Sequence, residues 1–200
     1  MTTHDHPTPQ HAQPGRRPRR QHAVLGVALA AALTGCTSAA AVPADVTVDA
    51  AAPVVSHGEI YVDAPLSTVW RLQTDVANWP TWRSDVDATQ VTQPFTVDST
   101  FRWQTSGLDI TSRIFQVSPM ARTAWGGPSM GIDAIHVWTY APTGNGVMVR
   151  TQESWSGTQV EAQAATLQPA LDRALQTWLG DLKKKAEDHA PTVSAPTPPG

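Results

Sequence analysis

The sequence predicts an α+β domain: a curled antiparallel sheet around a long C-terminal helix, with two short helices after the first strand. Three observations predict it. Short apolar-alternating segments between residues 57 and 155 are separated by Gly, Pro, Asp and Ser, the pattern of antiparallel strands. A helical stretch interrupts them early, at residues 65–76. One long stripe of helical period closes the chain, where a sheet can wrap around it.

The elements follow in order. HGEIYVDA (57–64) reads as a strand. PLSTVWRLQTDV (65–76) opens with Pro, which suits a first helical turn, and Val69, Leu72 and Val76 form one apolar stripe. NWPTW breaks it. Strands are then expected over DVDATQVT, STFRWQT, LDITSRIFQV, RTAWG, DAIHVWTYAP and GVMVRTQESW, the last two joined by a turn within PTGNG. In the final helix Val160, Ala164, Leu167, Leu171, Leu175, Trp178 and Leu182 recur at gaps of three or four. Lys183, Lys184 and Lys185 sit where cations favour the helix dipole, and Pro169 is expected to kink the helix or mark a new first turn.

Both ends of the chain are expected to lie outside this domain. Arg16, Arg17, Arg19 and Arg20 precede AVLGVALAAAL (23–33), an uncharged run too short to span a bilayer but suited to a secretory signal. LTGC (33–36) follows, and the region resembles a bacterial lipoprotein precursor, in which Cys36 is lipidated and becomes the mature N-terminus. The resemblance implies a protein anchored on the extracytoplasmic face of the cell membrane, with residues 1–35 removed. Residues 36–55 read as a flexible tether, 56–187 as the domain, and 188–200 as a disordered Pro-rich tail. Cys36 is the sole cysteine, so no intramolecular disulfide is possible and the core alone must stabilise the fold. The precursor carries 14 basic and 17 acidic residues; losing four Arg and Asp5 leaves 10 and 16. Such an acidic balance gives no basic surface for nucleic acid.

Within the domain, IYVDAPLSTVWRLQTDVANWPTWRSDV resembles the opening of the START-like, or SRPBCC, superfamily, whose architecture is the helix-grip (Bet v 1/START-like) fold. FRW, AIHVWTY, GNGVMVRTQESWSG and LQTWLGDLKKKAE are similar, in order and spacing, to its polyketide cyclase/dehydrase-like branch. The resemblance covers residues 57–187. It implies that Trp70 faces inward, that Asp75 caps the second short helix by accepting a backbone N–H, and that Pro80 stiffens the turn. Trp79 and Trp82 are then mainly structural, burying large area where the helices meet the sheet.

Strand alternation predicts the lining of a cavity between sheet and final helix. With Tyr140 opposite Val147, one face carries His136, Trp138, Tyr140, Val147, Val149, Thr151, Glu153 and Trp155; the other carries Arg150 and Gln152 and meets solvent. Phe101, Trp103, Ile110, Ser112 and Ile114 join the inward face. The candidate ligand-binding residues are Phe101, Trp103, Ser112, Ile114, His136, Trp138, Tyr140, Thr151, Glu153, Leu171 and Leu175. This greasy wall with a few polar groups suits a hydrophobic or aromatic small molecule. The catalytic candidates, if the domain is an enzyme, are His136 and Glu153, as acid–base groups for a cyclase or dehydratase. No G-x-S-x-G nucleophile motif, metal-ligand spacing or phosphate-cradling loop appears, so neither cofactor nor metal is expected. A carrier, an enzyme and an interaction module filled by its own side chains all remain compatible with these residues, and the oligomeric state is open.

Overall fold

The structure, a computed structural model, describes residues 44–188. The signal, Cys36 and residues 189–200 lie outside the described residues. Strand β1 (Val54–Val62) leads to helix α1 (Leu66–Thr74) and a 3-10 turn (Val76–Thr81). Strands β2 (Val86–Val91), β3 (Thr100–Thr105), β4 (Leu108–Ser118), β5 (Arg122–Ser129), β6 (Ile132–Thr143) and β7 (Gly146–Ser156) follow, and α2 (Thr158–Asp188) closes the domain. All seven strands form one antiparallel sheet in the order β1-β7-β6-β5-β4-β3-β2. Register shifts between Val86 and Ala88 and between Ile114 and Gln116 bend it, since a bulged strand twists and curves. The concave side meets α2, whose Val160, Leu171, Leu175, Trp178, Leu179, Leu182 and Ala186 are buried.

Several details correct the expectations. The β6–β7 hairpin turns on Gly144 and Asn145 alone, with Gly144 at φ 60°. Tyr140 therefore pairs with Val149, not Val147, and His136 pairs with Glu153. The slip is two residues, so each side chain keeps its face. Pro65 precedes α1 rather than entering it. Asp75 accepts from the Asn78 side-chain amide at 2.6 Å and makes no side-chain cap to the backbone. Pro169 lies within one helix that α2 continues on both sides.

Residues 44–53, assigned by sequence to the tether, run across the convex face of the sheet. Val46 N–H donates to Gln116 Oε1 on β4 at 2.9 Å, and Asp49 N–H to Ser154 Oγ on β7 at 3.1 Å. Ala124 and Val137 lie on that face between these two points and are buried. Val54 and Val55 already belong to β1, and Asp188 still belongs to α2.

Candidate functional site

The interior divides into two apolar clusters. Val54, Val160, Leu171 and Leu175 form one, with Leu167 and Trp155 against it. The other is aromatic and centres on Trp178. Trp79, Trp125, His136 and Trp138 bring their rings within 4.6–5.9 Å of neighbours in it, and Trp178 lies 5.1 Å from Trp79, His136 and Trp138. Edge-to-face pairs dominate around Trp79, the arrangement that aromatic quadrupoles favour.

Arg83 enters this cluster from the loop between the 3-10 turn and β2. Its guanidinium carbon lies 3.2 Å from the Trp178 ring centroid and 5.8 Å from those of Trp79 and Trp103. Nε and Nη2 donate to the Asp85 carboxylate at 2.7–3.1 Å. Burial pulls Arg83 down to about 10, opposed by Asp85, Asp181 and Glu153, so it stays charged near neutrality. Its ion pair is the condition for that burial, because an unpaired charge there costs several kcal/mol, about 3–5 when one partner is removed.

Four buried donors on residues that touch Trp178 have no hydrogen-bond partner: Gln73 Nε2, Arg83 Nη1, Trp125 Nε1 and Trp138 Nε1. Gln73 is oriented by Trp178, whose indole N–H donates to its Oε1 at 3.2 Å, which leaves the amide nitrogen over. Buried polar groups are normally satisfied, so these four donors carry hydrogen-bonding capacity that no protein acceptor uses.

His136 and Glu153 adjoin this cluster. His136 Nε2 lies 2.7 Å from Thr151 Oγ1, and that hydroxyl donates to Val137 O at 3.3 Å. The hydroxyl proton is thereby used, so Nε2 carries the imidazole proton and Nδ1 presents a lone pair. Glu153 Oε2 faces Nδ1 at 3.1 Å, while Oε1 accepts from Trp155 Nε1 at 2.8 Å. Burial holds His136 well below its ordinary value, reinforced by the Arg83 charge. Burial raises Glu153 to about 7, against the pull of Trp155 and Arg83.

The open space lies beside the cluster. A cleft of about 190 Å³ is lined by the end of α1, Val76, Val91, Phe95, Phe101 and Ile114 among others. Phe101 forms its inner wall and packs on Trp79 and Trp125 at 5.5 Å. Of the candidate residues, Phe101 and Ile114 line this cleft. Trp103, His136 and Trp138 join the aromatic cluster around Trp178. Ser112 accepts from Trp103 Nε1, Tyr140 stacks edge-on to Trp70, and Thr151 and Glu153 hold His136. Leu171 and Leu175 belong to the separate apolar cluster. Sequence reasoning missed Arg83, Gln73, Trp125 and Asp181. The R-x-D spacing of Arg83 and Asp85, set among tryptophans, was the one available sign. Among the described residues, no three His, Cys, Asp or Glu are grouped to hold a metal ion.

The family model for polyketide cyclase / dehydrase and lipid transport matches residues 53–187. A hypothetical protein from Helicobacter pylori superposes with TM-score 0.61 at 18% identity, covering 73% of this chain and 99% of its own. A START superfamily protein from Mycobacterium smegmatis gives 0.54 at 12% identity, covering 67% and 97%. The di-domain ARO/CYC protein BexL of the BE-7585A biosynthetic pathway gives 0.56 at 22%, covering 66% of this chain and 46% of its own. No curated protein matches. These likenesses establish the helix-grip fold, and the match over residues 53–187 establishes the lineage: the chain belongs to the polyketide cyclase / dehydrase and lipid transport family.

Proposed function

We propose that this protein is a lipid-anchored, extracytoplasmic binding protein for a small planar, conjugated molecule that carries an oxygen acceptor. The family joins cyclase/dehydrase proteins to lipid transport, which supports a hydrophobic ligand. The observation that carries the reading is the set of unpartnered donors around Trp178. A flat ring satisfies the aromatic walls, and a carbonyl oxygen satisfies donors that otherwise stay buried without a partner. The cleft at Phe101, whose ring packs on Trp125, is open space beside them. Anchoring rests on LTGC (33–36) after the uncharged run.

A matched pair of probes tests the reading. 2-Acetylnaphthalene and 2-ethylnaphthalene have nearly the same shape, but only the first offers an acceptor. Each should quench tryptophan fluorescence on binding. The ketone should bind about tenfold more tightly, since satisfying one buried donor is worth ~1–3 kcal/mol. Equal affinities, or no binding of either, would refute it.

A second reading is favoured by one observation: Glu153, raised to about 7, faces His136 Nδ1. A carboxyl half-protonated near neutrality suits proton transfer in an aldol-type cyclisation or dehydration. Turnover of a poly-β-ketone probe that disappears with Glu153→Gln, while binding persists, would establish it.

A further inference from the structure

One face of Trp178 is covered by the protein's own Arg83, and the bonds that keep it there are unevenly distributed. The strongest, the bidentate ion pair, is made to Asp85, two residues along the same loop. It travels with the loop and does not tie the loop to the domain. What ties the loop to α2 is Ser84: its N–H and hydroxyl both donate to Asp181 Oδ2, at 2.7 and 2.8 Å, in an exposed position. At the sheet side, Thr105 Oγ1 donates to Asp85 O at 2.7 Å, and at the 3-10 turn Arg83 N–H donates to Trp79 O at 2.8 Å.

We propose that the loop Trp82–Asp85 is a retractable plug, latched by Ser84 on Asp181, and that the ligand replaces the Arg83 guanidinium on the face of Trp178. The inference rests on the binding reading above and adds how that site is opened. Four features support it. The guanidinium is planar and stacked at 3.2 Å, so it occupies the footprint of a flat conjugated group. Withdrawing Arg83 together with Asp85 leaves no buried charge stranded, which removes the main cost of moving a buried arginine. The partners left behind are aromatic faces and the unpaired donors of Gln73, Trp125 and Trp138, which an oxygen acceptor completes. The latch itself is exposed to water, so its opening exchanges protein hydrogen bonds for solvent ones at small net cost.

The test uses the whole protein and the variant Asp181→Ala, which removes the latch together with one carboxylate that supports the Arg83 charge, whereas Ser84→Ala weakens the latch and keeps that carboxylate. Stopped-flow tryptophan quenching with 2-acetylnaphthalene should show association about tenfold faster than in the wild type. Acrylamide quenching without ligand should rise in the same variant, because an open plug admits the quencher to Trp178 and its neighbours. Ser84→Ala keeps the backbone N–H bond and should give a smaller effect of the same sign. Unchanged association and unchanged acrylamide quenching would overturn the plug. Acrylamide quenching that rises while neither protein binds the probe would uphold the plug's movement and overturn the binding reading instead.

Discussion

His136 Nδ1 faces Glu153 Oε2 at 3.1 Å, and burial favours the neutral form of both residues. β6 and β7 set the two opposite each other in one register row. The same low-dielectric surroundings thus move a base down and an acid up, so burial works against an ion pair between them.

Glu153 gives the domain an unusual pH dependence. In the unfolded chain it ionises near its ordinary value of 4.5; in the fold it keeps its proton to about 7. Between those values folding takes up a proton, so stability falls as pH rises and the full cost stands above the folded value. His136 works the other way: its contribution is present above its ordinary 6.5 and is lost as pH falls through its lowered folded value. Glu153→Gln should flatten the first limb and gain about 2–3 kcal/mol above neutrality. Urea midpoints measured from about pH 5 to about pH 8 check it; parallel curves for the two proteins would contradict it.

Arg83 should matter for stability in a way that depends on what replaces it. Arg83→Ala removes the side chain that covers Trp178 and leaves a void there, so a loss of about 2–5 kcal/mol is expected. Arg83→Met keeps the volume and the apolar stem, and Asp85, 22% exposed at its side chain, can turn to water. The methionine variant should therefore unfold at clearly higher urea than the alanine variant. Equal midpoints would show that packing over Trp178 does not count.

The faces of β6 and β7 were legible because alternation has period two, and a register error of two residues leaves parity untouched. His136, Trp138, Thr151 and Glu153 thus turn inward although the predicted pairing was displaced. The stripe of α2 was legible for the same kind of reason, its period being local. Arg83 was not legible. A charged residue buried by a loop follows no period, and its partners Trp178 and Asp181 lie almost a hundred residues away. The convex-face strap was missed because Val46 and Val48 sit among small residues and Pro, whose composition reads as a tether.

Cys36 is the basis of the proposed location. Cys36→Ser should shift the protein out of the membrane fraction or block processing of residues 1–35. Intact mass of the wild type should show a lipid adduct on a chain starting at Cys36. A variant that fractionates like wild type, with the same mature mass, would remove the anchor and leave the domain's chemistry unaffected.

The last helix separates two roles along one element. Leu175 is 1% exposed in the apolar cluster with Leu171, Val54 and Val160, apart from the aromatic cluster around Trp178. Leu175→Ala should therefore cost ~2–5 kcal/mol by loss of burial and creation of a void, without changing the affinity for an aromatic probe. Pro169 is exposed and lies inside the continuous helix, where it withholds one backbone donor and crowds the preceding turn. Pro169→Ala restores that donor and should raise the unfolding midpoint by up to about 3 kcal/mol in equivalent stability. If Pro169 also lets the helix flex to admit ligand, the alanine variant should release the probe more slowly than wild type. A gain in stability with unchanged release rates would confine Pro169 to a local cost in the helix and leave ligand entry to the proposed Arg83 loop.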